Sequence, residues 1–149
     1  TAASRFDRDV AAQPGAQWVV FLEGINDLRN NPDVPSEEII AAHRQIIERA
    51  HELGLKIYGG TLTPFEGSGP TWTAATEATR EAVNTWIRTS KAYDAVIDFD
   101  AVARDPGHPT RLVEERQSGD HLHPSDLGYQ VMADAVNLEL FGSGAKGSK

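Results

Sequence analysis

Hydrophobic and polar positions recur along the chain with two different periods, and the switches between them mark out helices and strands. Ser4 stands as a candidate N-cap for a short amphipathic stretch through Ala12, which stops before Pro14-Gly15. From Gln17 to Glu23 the chain carries the apolar run Trp18-Val19-Val20-Phe21-Leu22, the continuous pattern of a parallel strand covered on both faces, ending at Gly24. After a polar loop holding Pro32 and Pro35, Ser36 is placed to cap a helix. Its first turn carries Glu37 and Glu38, the charge favoured at the positive end of a helix dipole. Ile39, His43, Ile46, Ala50 and Leu53 recur at steps of three and four, Ile40 and Ile47 widen that face, and Gly54 sits where a left-handed C-cap belongs. Leu55 to Leu62 reads as a second strand, and the prolines and glycines of Thr63 to Pro70 make a loop.

A second long helix is predicted from about Thr73 to Lys91, with Ala75, Ala78, Ala82, Val83, Trp86 and Ile87 inward. Asp94 to Phe99 forms a third strand, residues 101 to 120 read as mostly irregular, and a last helix runs from near Ser125 to about Phe141. Strand and helix alternating three times predict one α/β domain over residues 1–141 with a parallel sheet. The remainder, 142–149, is too small and polar to bury anything and is expected to be a flexible tail. Ligands of such sheets bind beyond the carboxyl ends of the strands. Functional residues are therefore expected just after Glu23, Leu62 and Phe99, and in the loop entering the final helix.

Composition narrows the function classes. A chain of 149 residues is long enough for one self-supporting core. Its 22 acidic against 14 basic side chains, net −8, would repel a polyphosphate, and no Lys/Arg cluster alternates with aromatic residues, so nucleic acid is not an expected partner. With no cysteine there is no disulfide framework, thiolate metal site or cysteine nucleophile. No apolar run approaches the ~20 residues that span a bilayer, which predicts a soluble domain. The chain opens at Thr1 without a basic and then apolar leader, so the true start is expected to lie upstream.

Two constellations could carry chemistry. Gly24-Ile25-Asn26-Asp27 directly follows a strand, where a fixed Asn side-chain N–H can stabilise an oxyanion; Asn and Asp there also make ordinary Asx-turns. Asp120-His121-Leu122-His123-Pro124 supplies a carboxylate and an imidazole three positions apart, so that Asp120 could orient His123 as a general base. The same D-x-x-H-P form recurs at Asp105-Pro106-Gly107-His108-Pro109, which reads as a structural loop. Asp120, His121, His123 and Asp126, with oxygens from Asp98 and Asp100, offer a metal-dependent alternative, although no second ligand cluster is evident. His43 and His51 read as core or boundary histidines, Trp18 and Trp86 as core, Trp72 as lining a pocket mouth, and Ser125 as an N-cap and not a nucleophile.

Taken together, Gly24-Ile25-Asn26-Asp27 after the strand, Val96-Ile97-Asp98-Phe99-Asp100, and the run Ser118 to Tyr129 resemble the SGNH, or GDSL-type, hydrolases over nearly the whole ordered chain. The resemblance implies a flavodoxin-like three-layer α/β/α fold and hydrolysis of small carboxylic esters, with short acyl or acetyl groups, by a Ser-His-Asp triad without a metal or cofactor. It implies His123 as general base, Asp120 as its orienting carboxylate and Asn26 as an oxyanion donor, with Gly24 and Asp27 beside the substrate. The chain departs from the pattern in one respect: no Gly-Asp-Ser occurs, since the only Gly-Asp pair, Gly119-Asp120, is followed by His121. The expectation is a C-terminal portion of an esterase, missing its first two strands and nearly inactive alone. An apolar strand edge is then left for self-association or for pairing with the missing N-terminal segment. A non-catalytic binding or assembly module is the alternative. The compartment is not fixed by the sequence, though secretion would fit the resemblance.

Overall fold

Three short strands, β1 (Trp18–Phe21), β2 (Lys56–Gly60) and β3 (Ala95–Ile97), form a parallel sheet in that order. The register runs from Trp18 beside Lys56 to Phe21 beside Gly59, and from Tyr58 beside Ala95 to Gly60 beside Ile97. This computed structural model describes residues 2–142; the predicted tail beyond Gly142 lies outside the described residues.

The crossovers supply the layers. Helix α1 (Ala2–Phe6), prolonged by a π-helical turn at Asp7–Ala11, packs with α3 (Ser36–Glu52) and α4 (Ala74–Thr89) on one face of the sheet, over Phe21, Ile57 and Tyr93. The short α2 (Ile25–Asn30) follows β1. On the other face, α5 (Phe99–Ala103), α6 (Asp126–Asp134) and a 3-10 turn at Leu138–Phe141 cover Tyr58 and Ile97, together with Phe99 and Met132. The result is a three-layer α/β/α domain, as expected. Alternate residues of β2 serve opposite faces, Ile57 one core and Tyr58 the other, which is the period of two of a strand. Next in β2 come Gly59 and Gly60, and each is required by close approach. A Cβ at Gly59 would meet the Tyr93 ring at 2.5 Å, and one at Gly60 would meet Phe99 at 2.9 Å.

Several elements differ from the sequence reading. The inward face of α4 is Thr76, Glu77, Arg80, Val83, Asn84 and Ile87, whereas Ala75, Ala78 and Ala82 are exposed, because polar side chains on this helix bond to the end of β2. Ser36 is the first residue of α3, and Pro35 is the N-cap, without a side-chain bond. Leu53 is past the end of that helix and exposed, while Gly54 has the expected left-handed conformation at φ 72°. Residues 101–120 hold part of α5, an antiparallel hairpin of β4 (Arg104–Asp105) and β5 (His108–Leu112), and a 3-10 turn at Glu114–Arg116. The last helix stops at Asp134. Trp18 is not a core residue: with Val20, and with Leu22 just past the strand, it forms an exposed apolar row along β1, which is an edge strand with a neighbour on one side only among the described residues.

Candidate active site

The carboxyl ends of β1 and β2 and the loop before α6 hold the predicted residues. Beyond β1, Gly24 adopts φ 131°, a conformation glycine accepts, and a Cβ there would press on Leu62 at 3.2 Å. That turn starts α2, with Asn26 and Asp27 exposed in its first turn and Leu28 fully buried. Gly24, Asn26 and Asp27 line a cavity of about 450 Å³ with Arg5, Glu38 and His43 among its other walls. His43 is buried behind it as sequence suggested, and its Nε2–H donates to the Glu23 carbonyl at 3.1 Å. The Tyr93 hydroxyl then donates to His43 Nδ1 at 2.7 Å. Burial pushes the His43 pKa down, so this ring is a neutral strut under the Gly24 turn.

Beyond β2, Leu62 is held by α4. Asn84 accepts its N–H at 2.7 Å and donates to its carbonyl at 2.9 Å, and Arg80 Nη1 donates to the same carbonyl at 2.7 Å. Arg80 is fully buried and paired with Glu77 and with Asp100 at 2.8 Å. Asp98 and Asp100, considered above as oxygen ligands, are both bonded to Arg88, at 2.7 and 2.6 Å. Among the described residues, no group of three or more His, Cys, Asp or Glu side chains is arranged to hold a metal ion.

The third part is the loop from Gln117 to Pro124, closed by a β-bridge between those two residues and by Ser118 N–H donating to the His123 carbonyl at 2.9 Å. Inside it Asp120 makes the contacts expected of an orienting carboxylate. Its Oδ2 lies 2.6 Å from His123 Nδ1, and its Oδ1 accepts the amides of Leu122 at 3.0 Å and His123 at 2.8 Å. The His123 ring, and then these two amides, hold the Asp120 carboxyl well below the usual carboxylate range. A carboxylate on Nδ1 keeps the proton on that nitrogen and leaves the lone pair on Nε2. His123 is solvent-exposed, with 63% of its side chain accessible. Leu122 anchors the loop in the same hydrophobic cluster as Leu28, Leu62 and Phe65, so the segments that carry His123 and Asn26 are built on one core.

Other candidates fall elsewhere. Ser125 caps α6, accepting from Gly128 N–H at 3.3 Å and donating to the Glu115 carbonyl at 3.1 Å. Asp105 and His108 sit at the tip of the β4–β5 hairpin, 3.7 Å apart, with Asp105 accepting the Gly107 amide. Trp72 is half-buried against the core and donates to Glu77. Sequence reasoning passed over Arg80 and Asn84, because their role depends on a partner carbonyl that no motif marks.

Comparison with known proteins agrees with this fold. A search of curated proteins found no match. Among solved structures, a proposed lipolytic protein of the G-D-S-L family from Desulfitobacterium hafniense superposes with TM-score 0.73 at 23% identity, over 90% of this chain and 70% of that one. A GDSL-like lipase from Bacteroides thetaiotaomicron gives 0.74 at 19%, over 89% and 65%. A mutant of an acetyl-xylooligosaccharide esterase from Geobacillus stearmophilus gives 0.68 at 22%, over 95% and 66%. The chain thus spans about two thirds of the length of these structures, which share its fold. The family model for GDSL-like lipases and acylhydrolases matches residues 1–131, nearly the whole described domain, and the chain belongs to that family.

Proposed function

We propose that this chain carries the general base, its carboxylate and one oxyanion donor of a carboxylic ester hydrolase. The observation that supports it most is the 2.6 Å contact between His123 Nδ1 and Asp120 Oδ2 in a loop anchored to the core. In this reading, His123 Nε2 takes the proton of a serine hydroxyl as that oxygen attacks the ester carbonyl. The carbonyl oxygen becomes an oxyanion and accepts a hydrogen bond from the Asn26 carboxamide, with Gly24 and Asp27 beside the substrate. The imidazolium then gives its proton to the leaving alkoxide, and a water molecule repeats the sequence to release the acid. Short acyl or acetyl esters are the proposed substrates, in keeping with the similarity to an acetyl-xylooligosaccharide esterase.

The nucleophile is proposed to come from outside these 149 residues. Gly-Asp-Ser does not occur in them, and the two serines flanking the dyad are engaged, Ser118 with Asp120 and Ser125 as a helix cap. The chain alone is then nearly inactive, and the edge of β1 that has no neighbour among the described residues is the place where a further segment or a second copy would pair. The test is hydrolysis of p-nitrophenyl acetate by the 149 residues alone and after addition of the polypeptide encoded upstream of Thr1. Turnover only in the mixture, lost in His123→Gln, supports the reading. Full turnover by the chain alone overturns the external nucleophile, and none in either sample favours a non-catalytic binding module.

A further inference from the structure

His121 lies in the left-handed region at φ 56°, where residues other than glycine are uncommon and where strain is retained only if the surroundings enforce it. The other such non-glycine residue among those described is Lys91, which follows the end of α4, a position where left-handed geometry is ordinary. His121 instead sits between the two members of the dyad. Its turn, following Gly119 at φ 98°, brings the chain round so that the Leu122 and His123 amides both reach Asp120 Oδ1.

Within the loop, Gln117 Oε1 accepts the amides of Gly119 at 2.6 Å and His121 at 3.0 Å, and a further contact on the His121 ring comes from another part of the chain. The His121 ring lies against Gly67: a methyl group there would be 3.0 Å from Cγ, 3.2 Å from Cβ and 3.3 Å from Cδ2 of the ring. Gly67 belongs to the loop after β2, and its neighbour Glu66 fastens that loop to the β4–β5 hairpin. Glu66 N–H donates to the Thr110 carbonyl at 3.1 Å, Arg111 Nε donates to the Glu66 carboxylate at 2.9 Å, and the Thr110 hydroxyl donates to it as well. Phe65, one residue further back, shares its core cluster with Leu122.

We infer that His121 and Gly67 are positioning residues: the ring seated on the Gly67 backbone holds the left-handed turn that aims His123 at Asp120, and the hairpin clamps Gly67 through Glu66. This rests on the reading of His123 and Asp120 as a catalytic dyad. It assigns a purpose to the hairpin, which lies outside the sheet. A glycine at 67 is required on two counts, since its φ of 95° favours glycine and any larger residue would press on the ring, and a side chain at 121 is required because glycine would leave the loop free to open.

The test reads the proton on His123 directly and needs no turnover. In the 149-residue protein with 15N-labelled histidine, the His123 signals are assigned by their absence in His123→Gln. The expected neutral tautomer has its proton on Nδ1. Gly67→Ala should reduce the population of that tautomer, and His121→Gly should reduce it too. The double variant Gly67→Ala/His121→Gly should match His121→Gly, because the ring that the methyl strikes is gone. Should strain at residue 67 unfold Gly67→Ala, His121→Gly remains a fair test, since glycine accepts the left-handed backbone. An unchanged tautomer ratio in His121→Gly, or a Gly67→Ala effect that persists undiminished in the double variant, overturns the inference. A wild-type His123 protonated on Nε2 overturns the dyad reading itself, so the two failures are separable.

Discussion

Asn84 holds Leu62 by both of its backbone polar groups, accepting the N–H at 2.7 Å and donating to the carbonyl at 2.9 Å, with all four atoms buried. The peptide after β2 is thereby paired without a neighbouring strand. Asn84→Ala leaves the Leu62 amide without a partner in the core, whereas the carbonyl keeps Arg80. A buried donor left unsatisfied costs roughly 1–3 kcal/mol. Urea unfolding should show a loss of that size, with an unchanged slope.

Substitutions at the proposed site have graded consequences in the reconstituted hydrolase. Asp120→Asn lets His123 take the wrong tautomer and should lower kcat by about 10⁴-fold. Asn26→Ala removes one oxyanion donor and should cost about 10²–10³-fold in kcat. Ser125→Ala removes a helix cap and should cost about 1 kcal/mol of stability with kcat retained. Steady-state kinetics with p-nitrophenyl acetate, alongside thermal melts, checks the three together.

Stability should fall on acidification in two separate windows. Burial depresses the His43 pKa in the folded state, so its contribution is complete above the unfolded value of about 6.5 and is lost as the pH falls through the lower folded value. A proton added to Nδ1 would face the Tyr93 hydroxyl that now donates to it. Asp98 acts at lower pH. Burial raises its pKa, but the hydrogen bonds from Arg88 and Thr61 outweigh this and hold it below the usual range. Its contribution is present above the unfolded value of about 3.9 and disappears below it. Urea midpoints measured from pH 8 to pH 2 should decline in both windows; His43→Gln should flatten the first, and Asp98→Asn should make the second shallower without abolishing it, since the carboxyls of Glu66, Asp94 and Asp120 are lowered as well.

The outer face of β1 gives a prediction about association. Trp18, Val20 and Leu22 are 37%, 44% and 38% exposed along an edge strand, an arrangement that favours pairing with another chain. Val20→Lys should blunt it. Sedimentation velocity should find the wild-type chain self-associating and the variant monomeric. A monomeric wild type at high concentration would exclude a second copy as the occupant of this edge.

The alternation of strands and helices was legible because each strand is a short apolar run and α3 has a nearly continuous apolar stripe. The inner face of α4 was not, since hydrophobic periodicity counts only apolar residues, and here Arg80, Asn84 and Thr76 turn inward to satisfy backbone groups and each other's neighbours. The β4–β5 hairpin escaped because its strands are short and one carries Pro109. The Asp120–His123 pair was readable because it is local, three residues within one turn. The clamp between Glu66 and Arg111 spans 45 positions and the left-handed turn at His121 has no glycine to announce it, so neither leaves a trace in the order of residues.

At Gly59 and Gly60 the aromatic rings of Tyr93 and Phe99 lie directly on the main chain from opposite sides. A ring from each of the two core clusters thus reaches the backbone of β2 at successive residues, with one peptide plane between them. A saturation library should find these two positions among the least permissive in the protein, together with Gly128, where an added Cβ would strike the Arg116 carbonyl.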